Sequence, residues 1–138
     1  DGSTSTAIGA AVASTLPTVL ITGDISFLYD SNALWNNYIP KNFKIILLNN
    51  SGGGIFRILP GHQETETFNI FFETSHDLNA FHLANMYDFD YFKANDQISL
   101  IEQYQLFLQN NDKPSILEIF TPEKENNGIL LSFFRNLV

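Results

Sequence analysis

The sequence has no cysteine. Disulfides, thiolate metal sites and cysteine nucleophiles are therefore excluded within it. Basic residues are scarce: 7 Lys and Arg stand against 15 Asp and Glu, for a net charge of −8. Non-specific nucleic-acid binding needs Lys and Arg to neutralise phosphates, so no nucleic-acid partner is expected. The same deficit argues against an anionic membrane surface. No apolar run reaches the roughly 18 residues that a membrane-spanning helix needs. The opening Asp1-Gly2-Ser3 lacks the basic and apolar segments of a signal peptide. It also lacks an initiator Met, so the chain is expected to begin inside a longer protein. Absent cysteine and an acidic balance fit a cytoplasmic protein. Disorder is not expected, because 44% of the residues are hydrophobic and 13 are Phe. The length, 138 residues, suits one domain over 1–138.

Apolar periodicity gives the order of elements. Residues 3–15 are small and helix-compatible, and Pro17 ends them. TVLITG (18–23) reads as a buried strand closing on Gly23. Residues 29–38 read as a short helix. FKIILLN (43–49) is apolar almost throughout, as a parallel strand covered on both faces should be. A glycine run follows, and 55–76 read as a long excursion, a length that is usually functional or mobile. Residues 77–88 have near-helical spacing, and DFDYFKA is a short strand. In 98–110, Ile98, Ile101, Tyr104 and Leu108 form one stripe. SILEIF (115–120) is a strand, and 127–138 form an amphipathic helix or tail. The alternation predicts an α/β three-layer sandwich with a mainly parallel sheet. Ligands of such sheets bind at the C-terminal strand ends.

Two strands end in unusual polar residues. Asp24 follows the first, and Asn50 comes 26 residues later, after the second. One β-α-β step fills that interval, so neighbouring strands would turn both residues to one crevice. A carboxylate, an amide oxygen and a glycine carbonyl are hard oxygen donors. Mg²⁺ takes such donors and completes its shell with water and phosphate oxygens. Gly52, Gly53 and Gly54 can adopt positive φ and expose backbone groups. Amides after a strand attract phosphate oxygens, and Ser26 adds a hydroxyl at a helix start. Taken singly, Gly-Asp and Asn-Asn-Ser-Gly-Gly-Gly are ordinary turn sequences. A strand-end Asp is also the phospho-acceptor of receiver modules. Those normally need an acidic cluster near the first strand and a late-strand Lys, whereas Lys113 precedes Pro114, before the last strand.

The joint spacing resembles the signature of thiamine-diphosphate enzymes. More specifically, GDISFLYDSNALW, LLNNSGGGIFRILPG, FFETSHDLNAFHLANMY and the opening DGSTSTAIGAAVAS resemble the 2-succinyl-5-enolpyruvyl-6-hydroxy-3-cyclohexene-1-carboxylate synthase family of menaquinone biosynthesis. The resemblance covers nearly the whole chain and is weakest after Pro122. It implies the thiamine-diphosphate-binding fold of a C-terminal domain, with thiamine diphosphate and Mg²⁺ as cofactors. Asp24, Asn50 and the Gly52 carbonyl would ligate the metal. Gly23, Ser26 and Gly53 would help hold the diphosphate, and Ile55 and Phe56 would border the cofactor. Ser51 stands where a third Asn is common, and Ile25 where the wider superfamily often has Gly. The implied reaction decarboxylates 2-oxoglutarate and adds the four-carbon unit to isochorismate. The family's activating Glu belongs to an N-terminal domain of a second subunit. The other domains of the same polypeptide and a homo-oligomeric assembly are therefore implied partners. The chain alone is expected to be inactive and, with its apolar faces uncovered, to self-associate. Another thiamine-diphosphate enzyme, such as an acetolactate synthase or a 2-oxoacid decarboxylase, would share the metal site. A non-catalytic remnant used for oligomerisation would keep only the fold.

The other polar residues read more plainly. His62, His76 and His82 have no metal-ligand spacing, and His76 is expected in a structural hydrogen bond. Trp35 and the Phe-rich 68–72 stretch read as core or interface, with Phe71 and Phe72 within reach of a site edge. Glu64, Glu66, Glu123 and Glu125 read as solvated charges.

Overall fold

The computed structural model describes residues 2–61 and 63–137; His62 lies outside the described residues. In chain order the elements are α1 (Ser3–Ala13), β1 (Thr18–Gly23), α2 (Asp24–Tyr29), a 3₁₀ turn (Ser31–Trp35) and β2 (Phe43–Asn49). A 3₁₀ turn (Gly54–Ile58), α3 (Glu66–Phe68) and a π-type turn (Asn69–Glu73) follow. Then come α4 (Phe81–Met86), β3 (Asp90–Ala94), α5 (Gln97–Gln109), β4 (Ser115–Phe120) and α6 (Asn126–Arg135). The chain divides into two compact units. One joins the segment up to Asn49 with Asn79–Phe120; the other joins Asn50–Leu78 with the residues from Thr121 on.

The first unit carries one sheet of order β1-β2-β4-β3, parallel at every pairing. The apolar runs 18–23, 43–49 and 115–120 form three of its strands, with the bounds the sequence predicts. Each face has its own core. On one, Phe43, Ile45, Leu47 and Ile116 pack with Ile8, Ala11, Phe27, Leu34 and Ala84 from the helices. On the other, Leu117, Ala94 and Phe107 pack with Ile46, Phe92 and Leu100. A sheet between two helical layers is the expected three-layer α/β arrangement.

Three expectations are corrected. The strand at 18–23 is not buried on both faces. It is the sheet edge, and only one face is packed, so Val19 is 49% and Ile21 65% exposed. The helix expected at 29–38 is a 3₁₀ turn at Ser31–Trp35, preceded by the α-helix Asp24–Tyr29, whose C-cap is Asp30. The Asp30 side chain turns inward, and its carboxylate accepts the Ser5 N–H and Ser5 hydroxyl, both at 2.7 Å. That carboxylate satisfies α1 donors that have no partner inside the helix. Third, the α5 stripe faces outward: Ile98 is 74% and Ile101 60% exposed, while Phe107 is buried. The stripe at Ile98, Ile101 and Leu108 is regular, but the core takes the neighbouring line Leu100 and Phe107. α5 is capped by Asp96, which accepts the Ser99 N–H at 2.8 Å while Ser99 Oγ accepts the Asp96 N–H.

The second unit has little regular structure. A buried pair, Arg57 and Glu73, joins its 3₁₀ turn to its π-type turn through two parallel hydrogen bonds. Arg57 also reaches Glu64 at 3.5 Å, and Glu64 accepts from Lys124 at 3.1 Å. Glu64 is thus not merely solvated, as the sequence suggests. Glu123 likewise accepts the Ser75 hydroxyl at 3.2 Å.

Candidate functional site

In the first unit, β1 and β2 are neighbours in register, Gly23 opposite Leu48. Their next residues, Asp24 and Asn49, therefore stand side by side at the C-terminal edge of the sheet. Asp24 opens α2 and is 3% exposed. Its carboxylate accepts the Ile25 N–H at 2.7 Å. Gly23 is the N-cap, with extended backbone, and Ser26 is half-buried in the first turn. Asn49 is buried and donates from Nδ2 to Glu118 Oε1 at 2.7 Å. Glu118, on the adjacent β4, is itself fully buried and also accepts the Ala80 N–H at 3.0 Å and the Tyr91 hydroxyl at 2.5 Å. Burial pushes the Tyr91 hydroxyl pKa far up, and the Glu118 carboxylate adds to this. Tyr91 therefore remains a donor throughout the ordinary pH range.

In the second unit, the glycine run is shaped by Glu73. Gly52 has φ +157°, and a Cβ there would lie 2.9 Å from the Glu73 carbonyl oxygen and 3.2 Å from its Cγ. Only glycine fits that cradle. Gly53 N–H donates to the same carbonyl at 2.6 Å, and Gly54 N–H to the Gly52 carbonyl at 3.0 Å. These two amides are therefore spent inside the turn. The Gly52 carbonyl accepts one of them, and a carbonyl oxygen has a second lone pair, the kind of donor a cation takes. Gly54 serves another purpose, since a Cβ on it would come within 2.8 Å of Asn50 Nδ2. The glycine leaves room for the Asn50 side chain. Ser51 has φ +61°, a conformation that Asn tolerates better than Ser, which gives a physical reason for Asn being common there.

Ile55 is 59% exposed, while Phe56 packs edge-to-face on Phe72 at 6.0 Å. Phe56, Leu59, Pro60, Phe68 and Phe72 line an apolar cavity of about 420 Å³ within this unit. Phe71 and Phe72 are both largely exposed. His76 has the structural hydrogen bond expected of it, with Nδ1 accepting the Leu78 N–H at 3.1 Å. Arg57 holds its charge more firmly than a free arginine, because hydrogen bonds from its side chain to Glu73 outweigh burial.

Among the described residues, no cluster of three or more His, Cys, Asp or Glu could hold a metal. A cation bound without such a cluster takes a mixed set of oxygen donors, such as one carboxylate with amide, carbonyl and phosphate oxygens. The buried Asp24 carboxylate in the first unit, and the Asn50 amide and Gly52 carbonyl in the second, are each hard oxygen donors of the kind Mg²⁺ takes.

Sequence reasoning missed Glu118, Tyr91 and the Arg57–Glu73 pair. Glu118 did leave a signal, being the one charged residue in the strand SILEIF. Charged side chains are almost never fully buried without a partner. Glu73 left none, because its neighbours show no period.

The chain is similar to known proteins along nearly its whole length. The curated 2-succinyl-5-enolpyruvyl-6-hydroxy-3-cyclohexene-1-carboxylate synthases of Flavobacterium johnsoniae and Flavobacterium psychrophilum are 67% and 68% identical over 137 residues, 99% of this chain. That of Christiangramia forsetii is 56% identical over 134 residues, 97% of the chain. The chain spans about a quarter of the length of these relatives. Among solved structures, a thiamine diphosphate-dependent 4-hydroxybenzoylformate decarboxylase from Rhodococcus jostii aligns with TM-score 0.66 at 25% identity. That alignment covers 86% of this chain and 22% of that one. A benzoylformate decarboxylase from Polynucleobacter necessarius has TM-score 0.66 at 17% identity, covering 88% of this chain and 23% of that one, and shows the fold alone. The family model for the C-terminal TPP-binding domain of thiamine pyrophosphate enzymes matches residues 2–119, and the chain belongs to that family.

Proposed function

We propose that this chain, residues 1–138, is the cofactor-binding C-terminal domain of a 2-succinyl-5-enolpyruvyl-6-hydroxy-3-cyclohexene-1-carboxylate synthase. The full-length protein decarboxylates 2-oxoglutarate and transfers the four-carbon unit to isochorismate in menaquinone biosynthesis. The observation that carries this reading is the 67–68% identity to two such synthases along 99% of the chain. The matched span takes in the glycine run and the excursion after it.

Thiamine diphosphate, when bound, supplies the carbanion chemistry, and the protein supplies binding and orientation. The role of this domain is anchoring. Asp24 is the one charged protein ligand of Mg²⁺, with the Asn50 amide and the Gly52 carbonyl as neutral partners. Gly23 and Ser26 hold diphosphate oxygens. Gly53 contributes through the shape of the turn, since its N–H is already given to Glu73. Ile55 and Phe56 border the cofactor with apolar surface. The substrates carry several carboxylates, which call for arginine partners. The chain's two arginines are Arg57, committed to Glu73, and Arg135. Substrate carboxylates are therefore bound by other domains of the polypeptide and by a second subunit of a homo-oligomer. No helix among the described residues is long and apolar enough to cross a membrane. We place the enzyme in the cytoplasm.

The test is to incubate the purified full-length protein with thiamine diphosphate, Mg²⁺, 2-oxoglutarate and isochorismate. Loss of isochorismate matched by CO₂ release is expected. CO₂ release from pyruvate or benzoylformate, with isochorismate untouched, would assign a different 2-oxoacid chemistry and overturn the reading.

A further inference from the structure

Glu118 is an unusual residue for the middle of a central strand. It is fully buried, and its contacts within the first unit are three hydrogen bonds from neutral donors: Asn49 Nδ2 at 2.7 Å, Ala80 N–H at 3.0 Å and Tyr91 hydroxyl at 2.5 Å. A buried carboxylate without a cation in contact is costly unless its oxygens are well satisfied. The three donors come from three places: the last residue of β2, the lead into α4, and β3. All are drawn to one point on β4, where Glu118 stands opposite Leu47 of β2 and Lys93 of β3.

Asn49 is the consequential donor. It is the last residue of β2, and Asn50 is the next along the chain. A side-chain amide can be turned over by half a revolution at little cost. Glu118 removes that freedom, because its carboxylate accepts only and so faces the NH₂ end of Asn49. The backbone leaving the strand is fixed with it. We infer that Glu118 is a positioning residue: through Asn49 it sets the departure of the chain into Asn50 and so the placement of the cation ligand. This rests on the metal site proposed above. A ligand's supporting partner of this kind typically contributes about tenfold to a hundredfold in metal affinity.

The experiment uses the full-length protein and reads Mg²⁺ affinity by titration at saturating thiamine diphosphate, with circular dichroism as the fold control. Glu118→Gln keeps shape and one acceptor oxygen, which Ala80 and Tyr91 can share, but offers an NH₂ to Asn49, which must turn its amide over to keep the bond and so reverses the orientation that Glu118 fixes. About tenfold weaker Mg²⁺ binding is expected. Asn49→Asp alone places two carboxylates in contact and should also weaken binding. The double variant Asn49→Asp/Glu118→Gln re-forms the bond with its polarity reversed, and recovery to within about threefold of wild type is expected. A residue that only fills space gives no such rescue. Should Glu118→Gln not fold, Asn49→Ala reads the same bond from its other end, with the same tenfold loss expected. Asp24→Asn runs in parallel. If it weakens Mg²⁺ while Glu118→Gln, or in its place Asn49→Ala, binds like wild type, or the double variant is no better than the singles, the inference about Glu118 is overturned. If Asp24→Asn itself binds like wild type, the metal site falls, and the inference falls with it.

Discussion

Replacing Arg57 with methionine strands a charge. Glu73 is fully buried and Arg57 is 5% exposed, and they are joined by two parallel hydrogen bonds. Methionine fills much of the arginine's volume but leaves the Glu73 carboxylate without its cation. Removing one member of a buried ion pair costs about 3–5 kcal/mol. The Glu73 backbone carbonyl is also the acceptor for Gly53 N–H at 2.6 Å. Loosening Glu73 therefore loosens the turn that presents the Gly52 carbonyl. At about 1.4 kcal/mol per factor of ten, the local opening constant should rise by roughly 10² to 4 × 10³. Native-state hydrogen exchange on the full-length protein reads this directly, through the Gly53 amide and its neighbours. The double variant Arg57→Met/Glu73→Leu removes both charges and should regain most of the protection, because a well-packed apolar pair is often neutral relative to a buried ion pair. Wild-type protection in Arg57→Met would refute the reasoning. So would a double variant as labile as the single, since the loss would then lie in packing and not in the stranded charge.

Gly52→Ala should be worse for cofactor binding than its size suggests. Its Cβ would sit 2.9 Å from the Glu73 carbonyl oxygen, on a backbone conformation costing about 1–3 kcal/mol for other residues, and thiamine-diphosphate titration should show the loss. Phe107→Ala empties the core beneath α5, and a fall in stability of about 3–5 kcal/mol is expected in denaturant melts. Asp30→Asn tests pH dependence. Burial raises the Asp30 pKa, but hydrogen bonds from the Ser5 hydroxyl and the Ser5 and Thr4 backbone outweigh it, so the folded value lies below the usual 3.8. A depressed folded pKa gives stability that is present above the unfolded pKa and lost as pH falls through the folded one. Melting temperatures followed from neutral pH down into the acid range below that value should therefore drop less in Asp30→Asn than in wild type, from a lower starting point.

Much of the first unit was legible in the sequence because its strands are all parallel and two of them, β2 and β4, are central. FKIILLN and SILEIF are mostly apolar, with one charged residue each, Lys44 and Glu118, since both faces of these strands are packed, and a run of that kind has few other homes. Helix facing was less legible. On α5, apolar residues outnumber the positions the core can take, so Ile98 and Ile101 fall on the outer line while Leu100 and Phe107 fall on the inner. Periodicity reports that stripes exist and cannot say which one the sheet claims. The break at Asp30 was invisible for another reason: its cause is a bond to Ser5, 25 residues away. Of the candidate site, Asp24 and Asn50 stood out by spacing, and the glycine run by composition. Glu73, which shapes that run, sits well downstream in a segment with no period, and only tertiary contact reveals it.

The central claim is that Asp24 anchors the cofactor through the metal, and a pair of titrations of Asp24→Asn in the full-length protein tests it most directly. Asparagine keeps the shape and one ligand oxygen while removing the one protein charge assigned to the cation. Thiamine diphosphate is titrated at fixed Mg²⁺, and Mg²⁺ at fixed thiamine diphosphate. Because metal and diphosphate each help hold the other, both affinities should weaken together, with the folded spectrum unchanged. Wild-type affinity in both titrations would make Asp24 an ordinary turn residue at the start of α2 and would contradict the account.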